Sequence, residues 1–139
     1  GGACKVSKSG SKWKAEEIWR KKDSKVGNIW STPVCVDGYM YGMFSAKKYG
    51  KGPLKCIDIR NGEVQWEEAG FGQGHVSLAG GKLLALSDGG ELVVVDPNPK
   101  AYKEVARAKV IDGKCWSTPV FANGHILVRS TTKGVCLKP

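Results

Sequence analysis

The chain contains no Cys-x-x-Cys pair and no closely spaced set of cysteine and histidine, so the sequence offers no zinc site. Its two histidines, His75 and His125, have no acid beside them in sequence, and no Gly-x-Ser-x-Gly elbow is present, which leaves no recognisable nucleophile and base. Neither a phosphate loop nor a Gly-x-Gly-x-x-Gly run follows a strand pattern. The glycine-rich run 70–74 precedes a strand rather than a helix, so it lacks the helix terminus that holds phosphate. No apolar run is long enough to cross a bilayer, and no signal peptide is recognisable.

Negative charge is also scarce, with 13 Asp and Glu against 22 Lys and Arg, a net charge of +9. Eight of the basic residues fall within the first 25 positions, where Trp13 and Trp19 are interleaved with them. That pattern could address nucleic acid, whose binding would then be steeply salt-dependent and would vanish on deletion of residues 1–25. No nucleic-acid fold signature accompanies the charge, so nucleic acid is not the expected partner, and the segment reads as a solvated tail. Residues 1–12 are rich in glycine, serine and lysine without periodicity, and a flexible basic segment is expected over 1–14.

What is present is an internal repeat. Trp30-Ser31-Thr32-Pro33-Val34 returns as Trp116-Ser117-Thr118-Pro119-Val120, 86 residues later, with Gly38 and Gly124 closing the two copies. A degenerate copy, residues 73–81, lies midway, so the period is 43 residues. The rest of the chain fits the same frame. Apolar strands are expected over 39–44, 82–86 and 125–129, each following the closing glycine, and second strands over 54–58, 92–96 and 135–138. Asn61-Gly62 reads as a tight hairpin with both residues at positive φ, leading into an outer strand at 63–66. The outer strand of the second unit is expected at 103–109, with Val105 or a neighbour in the place of Trp66. Residues 14–20 include the helix-favouring Ala15-Glu16-Glu17, but the frame makes them the outer strand of a preceding unit, with Trp19 in the part of Trp66.

A 43-residue unit of four short antiparallel strands is the size of one propeller blade. The Trp30-Ser-Thr-Pro-Val run, Asp37-Gly38-Tyr39-Met40-Tyr41, Cys56-Ile57-Asp58 before Asn61-Gly62, and Val64-Gln65-Trp66 together resemble the PQQ-like β-propeller repeat. That blade occurs in quinoprotein dehydrogenases and in non-enzymatic relatives. The resemblance covers roughly residues 15–138 and implies an all-β fold, a partial propeller of about three blades over 15–139. At 139 residues the chain is short of the about four to eight blades of a closed ring. The last unit also stops after its third strand. The expectation is therefore the C-terminal section of a larger propeller, completed by a longer parent or by further copies of itself.

The functional expectation that follows is a non-catalytic binding or scaffold module with no cofactor or metal in this chain and a protein or small ligand at the propeller face. The alternative is part of a PQQ-dependent quinoprotein dehydrogenase that uses PQQ and calcium, with its catalytic residues outside the chain. The adjacent cysteines, calcium ligands and catalytic aspartate which that class implies have no counterpart here. Asp58 and Asp96 share one repeat position, as structural turn residues do. In propellers the loop entering the innermost strand faces the central channel, so the resemblance nominates Trp30, Ser31, Gln73, His75, Trp116 and Ser117 as lining a ligand site. It also implies an extracytoplasmic location. An odd count of five cysteines allows at most two disulfides and argues mildly against an oxidising compartment. Cys136 occupies the frame position of Cys56, where a small apolar core residue is expected. Trp30 and Trp116 are expected to pack between blades.

Overall fold

A computed structural model describes residues 1–22, 26–28, 31–44 and 52–139. Thirteen strands lie among the described residues. β1 (Gly2–Ser9) and β2 (Lys12–Arg20) form a hairpin; β3 (Val34–Val36), β4 (Tyr39–Met43), β5 (Leu54–Asp58) and β6 (Val64–Glu68) form a four-stranded sheet. A second four-stranded sheet holds β7 (His75–Ala79), β8 (Lys82–Leu86), β9 (Glu91–Val95) and β10 (Glu104–Lys109). The third holds β11 (Val120–Ala122), β12 (His125–Arg129) and β13 (Gly134–Leu137). Every neighbouring pair is antiparallel and every sheet is a meander in chain order, so the 43-residue period is one sheet per repeat.

The closing glycines make the turns that start each sheet. Asp37 and Gly38 have φ of 48° and 82°, Gly80 and Gly81 of 55° and 74°, Asn123 and Gly124 of 49° and 74°. Two consecutive left-handed residues are what a two-residue hairpin needs to match the twist of its strands. The expectation of such a turn at Asn61-Gly62 is corrected, since only Gly62 is left-handed there, at 71°. The loop is wider: Gly62 N–H donates to Asp58 O (2.8 Å), and Asn61 Oδ1 accepts from Glu63 N (2.9 Å).

Strand alternation gives each sheet two faces, and the faces stack in order. On the first sheet Tyr41, Met43, Leu54 and Cys56 point forward. They bury against Val76, Leu83, Ala85, Val93 and Val95 on the rear of the second. The forward face of the second sheet, with Leu84, Leu86 and Leu92, buries against Ile126 and Val128 on the rear of the third, joined by Ile111 and Cys115 from the connection between them. Each fully buried aliphatic side chain contributes about 1.5–3 kcal/mol. The two interfaces are thus one apolar design used twice.

A hairpin over residues 2–20 takes in the N-terminal segment where the sequence shows no periodicity. β1 pairs along its whole length with β2, and the expected boundary between residues 14 and 15 falls inside β2. Both strands are almost wholly exposed, so neither carries the alternation from which a strand is read. The hairpin matches the third and fourth strands of a sheet. Ala3 pairs with Trp19 as Cys56 pairs with Trp66, and in each case the residue just before the tryptophan, Ile18 or Gln65, is skipped by the register. In the second sheet Val105 is skipped in the same way, so Ala106, not Val105, stands in the place of Trp66. Arg20 Nε donates to Glu17 Oε2 (2.8 Å) as Arg107 Nε donates to Glu104 Oε1 (3.1 Å), one ion pair across the same bulge.

Trp19 and Trp66 then repeat one contact. Trp66 Nε1 donates to Asn98 O of the second sheet (2.7 Å), and Trp19 Nε1 donates to Ile59 O of the first (2.6 Å). Trp66 sits 5.9 Å from the Tyr41 ring and 5.6 Å from the Tyr102 ring, which joins two sheets through aromatic edges. The indole ring of Trp19 closes the space over Gly62, where a Cβ would meet it at 2.8 Å.

Cysteine exposure follows the stack. Cys56 is buried between two sheets, and burial pushes its thiol up to about 11. Its frame mate Cys136 is exposed, a correction to the expected core role, because no described residue covers the forward face of the third sheet. Cys35, inside β3, is exposed as well. A native-state alkylation is expected to label Cys4, Cys35 and Cys136 and to spare Cys56 and Cys115. Labelling of Cys56 at the rate of Cys136 by mass spectrometry would contradict the stack.

Candidate ligand-binding cleft

Of the six residues nominated from sequence, five lie among the described residues. Trp30 lies outside the described residues. Ser31 closes a local turn, its N–H donating to Asn28 Oδ1 (3.1 Å). Gln73 N–H donates to the buried Asp88 carboxylate (3.0 Å), so the loop ahead of β7 is tied to the β8–β9 turn. His75 starts β7 on the forward face, paired with Leu86, and its Nδ1 lies 3.3 Å from Thr118 Oγ1. His75 and Thr118 are one period apart, so the same frame position meets across two sheets. Ser117 Oγ donates to Arg129 O (3.1 Å). Trp116, expected between blades, is 44% exposed.

His75 is a packed interface histidine. Its Nε2 and the Ser77 Oγ, on the same face of β7, are buried without a hydrogen-bond partner. Desolvation lowers the His75 pKa, so the unfolded chain takes up a proton at higher pH than the folded one. Stability from this group is complete above the unfolded value of about 6.5 and is lost as pH falls through the folded value. The melting temperature is therefore expected to drop between about pH 7 and pH 5, and His75→Thr, which installs the residue of the equivalent positions, is expected to flatten that step. A step of unchanged size in the variant would contradict it.

The repeated aspartates are turn devices. Asp58 accepts from Arg60 N (2.8 Å) and from Arg60 Nε (2.9 Å), and the guanidinium holds its carboxyl below the usual carboxylate range. Asp96, at the same repeat position, pairs with Lys82. Neither carboxylate is placed as a base beside a nucleophile. Among the described residues, no group of three or more metal-ligating side chains forms.

The open site is on the third sheet. Lys114, Trp116, Ser117, Arg129, Ser130 and Thr131 line a cleft of about 240 Å³ where the loop leading into β11 meets the β12–β13 turn. Thr131 N–H donates to Lys114 O (3.0 Å) and fixes loop against turn. Lys114 Nζ stands 5.3 Å from the Trp116 ring centroid. Ser130 Oγ accepts from Thr132 N (3.3 Å) and Lys133 N (3.2 Å), which shapes the turn beneath Arg129. A second cleft shares Ser117 and Arg129 and continues over Val120 and Leu127, an apolar strip of the forward face. Two of the nominated residues, Trp116 and Ser117, belong to this cleft. The reading from sequence missed Lys114, Arg129 and Thr131. The signal available was the repeat itself, since Phe71, Leu86 and Asp88 occupy those frame positions one unit earlier.

No known protein family and no curated protein matches the chain. The arrangement supplies two cations, an exposed indole and hydroxyls on a rigid turn. Among the described residues, the cleft hydroxyls Ser117 Oγ and Ser130 Oγ bond the Arg129 carbonyl and the Thr132 hydroxyl rather than a histidine or carboxylate.

Proposed function

We propose that the chain is a section of a PQQ-like β-propeller, the C-terminal part of a larger ring, and that it works as a non-catalytic binding or scaffold module. The observation that carries this reading is the ordered stacking of sheet faces. The third sheet presents a forward face with the same frame positions that are buried or half-buried on the first two: Val120, Leu127 and Cys136 stand where Val34, Tyr41 and Cys56 stand. Val120 and Leu127 are 49% and 45% exposed, whereas Tyr41 and Cys56 are sealed. An apolar strip of this kind marks a docking surface. Its partner is a further sheet of the same design, from the remaining blades of a longer parent or from another copy.

An open cleft beside β13 supports the same reading. Leu92, Val94, Ala106, Val110, Ile126 and Leu137 line an open apolar cleft of about 350 Å³, at the place where a fourth strand of the third sheet would lie. The frame allots an outer strand there, as β6 and β10 are in the other sheets. An extracytoplasmic setting for the whole protein belongs to the same proposal and rests on the resemblance to the PQQ-like repeat alone.

Light scattering tests the docking face. The isolated chain is expected to associate through it, and Leu127→Lys to return it to the mass of a single chain. A wild-type mass of one chain, insensitive to Leu127→Lys, would remove the docking role. Oxidation of alcohols or sugars that depends on added PQQ and calcium would move the protein to the quinoprotein enzymes instead.

A further inference from the structure

The second and third repeats differ in the chemistry they place where loop and turn meet. In the second unit Asp88 N–H donates to Phe71 O (2.9 Å); in the third, Thr131 N–H donates to Lys114 O (3.0 Å), one period on. That hydrogen bond is kept, but the third unit's turn is one residue shorter and has no counterpart of the left-handed Gly72 and Gly90. The side chains have changed from Phe71, Gln73, Leu86 and Asp88 to Lys114, Trp116, Arg129 and Thr131. Leu86 is buried against the third sheet, Phe71 in the cluster between the first and second sheets, and the Asp88 carboxylate under the Gly72–Gln73 loop. One carboxylate has gone and two cations have come, beside an exposed indole where the second unit has Gln73.

Mere exposure does not explain that pattern. A face left open to water would lose its large apolar groups and take polar residues of either sign. Here the cleft keeps a tryptophan 44% exposed and takes positive charge alone. Among the described residues no carboxylate lies within ion-pair distance of Arg129. The pair Arg129 and Gly134 also replaces Met43 and Leu54 on the forward face, so this end of the sheet is not shaped for an apolar neighbour.

We infer that the cleft binds an acidic sugar, its carboxylate or phosphate held between Arg129 and Lys114 and its ring lying on Trp116. A guanidinium matches the oxyanion with two parallel donors, and the lysine adds a point charge. The apolar face of a pyranose ring suits a flat indole, while the Ser117 and Thr131 hydroxyls address the ring hydroxyls. At about 240 Å³ the cleft is smaller than the about 300–1,000 Å³ of sites for drug-sized ligands, which fits a single ring. This inference rests on the binding-module reading and names the ligand of one of its surfaces.

Two-dimensional NMR of the ¹⁵N-labelled chain tests it through the tryptophan indole resonances, with glucuronate, glucose 6-phosphate and glucose as probes. An acidic sugar is expected to shift the Trp116 indole with a Kd of about 1 mM, and glucose is expected not to. Whichever acid binds more tightly identifies the oxyanion. Arg129→Leu and Thr131→Asp install the residues of the second unit at their own frame positions. Each is expected to weaken binding at least about tenfold, or 1.4 kcal/mol. Equal shifts with glucose, undiminished binding in Arg129→Leu, or a Trp116 indole unmoved at about 10 mM acid would each overturn the site. The Trp66 indole is the control. If it keeps its dispersed resonance while Trp116 is silent, the site fails and the stacked-sheet module stands; if it too is lost, the module itself is in doubt.

Discussion

Trp66→Ala is expected to destabilise the chain by about 3 kcal/mol, the low end of the range for removing a large aromatic, since the indole is half-buried. The indole links two sheets through its bond to Asn98 O and its contacts with Tyr41 and Tyr102. Its loss opens a void between the first and second sheets and leaves that carbonyl without its donor. At about 3–5 °C per kcal/mol for a domain of this size, the melting temperature should fall by roughly 10–15 °C. Trp66→Phe keeps most of the packing and loses the hydrogen bond, which is worth about 1 kcal/mol. Calorimetry on the two variants separates the terms. Equal effects would mean that the bond, and not the ring, joins the sheets.

Gly90→Ala is expected to be as damaging for a different reason. Gly90 has φ of 91°, and a Cβ there would stand 2.0 Å from Ile111 O. That obstacle is backbone, and Gly90 O itself accepts from Val110 N (3.0 Å) and Ile111 N (3.4 Å), the connection that leads into the third sheet. Adding a methyl group must part the β8–β9 turn from this connection, at a cost above about 3 kcal/mol when left-handed strain and overpacking combine. Gly80→Ala is the comparison. Its φ of 55° is also left-handed, but nothing lies within 4 Å of the added carbon, so only about 1–2 kcal/mol of strain is expected. Hydrogen exchange at Ile126 and Val128 should accelerate in the first variant and not in the second. Similar stability losses in the two would remove the close approach as the explanation.

The sequence carried the strands because most of them have one or both faces covered. β5, β8 and β12 occupy the residues that the repeat frame assigns to them, and their apolar runs follow from burial against neighbouring sheets. β1 could not be read this way. It is held by its ladder to β2 alone, and a strand exposed on both faces has no alternation to display. The turn at Asn61-Gly62 was misjudged from its dipeptide because Asp58 reorganises the loop, its main-chain oxygen binding Gly62 N–H and its carboxylate binding Arg60. Two-residue turns arose instead at the positions marked by the repeat. Cys56 and Cys136 show the limit of a frame argument, since one position is sealed or exposed according to whether another sheet lies upon it. The cleft was half legible. Trp116 and Ser117 came from repeat position, whereas Lys114 and Arg129 needed the knowledge that loop and turn meet there.

The ordered stack of sheets is most directly tested by nuclear Overhauser contacts from the indole rings of Trp66 and Trp19 to residues of the next unit. Cross-peaks from the Trp66 indole to the Tyr102 ring and from the Trp19 indole to Gly62 are expected, because those pairs lie in direct contact across neighbouring units. Their presence together would place hairpin, first sheet and second sheet in the sequence described. Sharp Trp66 and Tyr102 resonances with no cross-peak between them would contradict the stack, and with it the propeller reading built upon it.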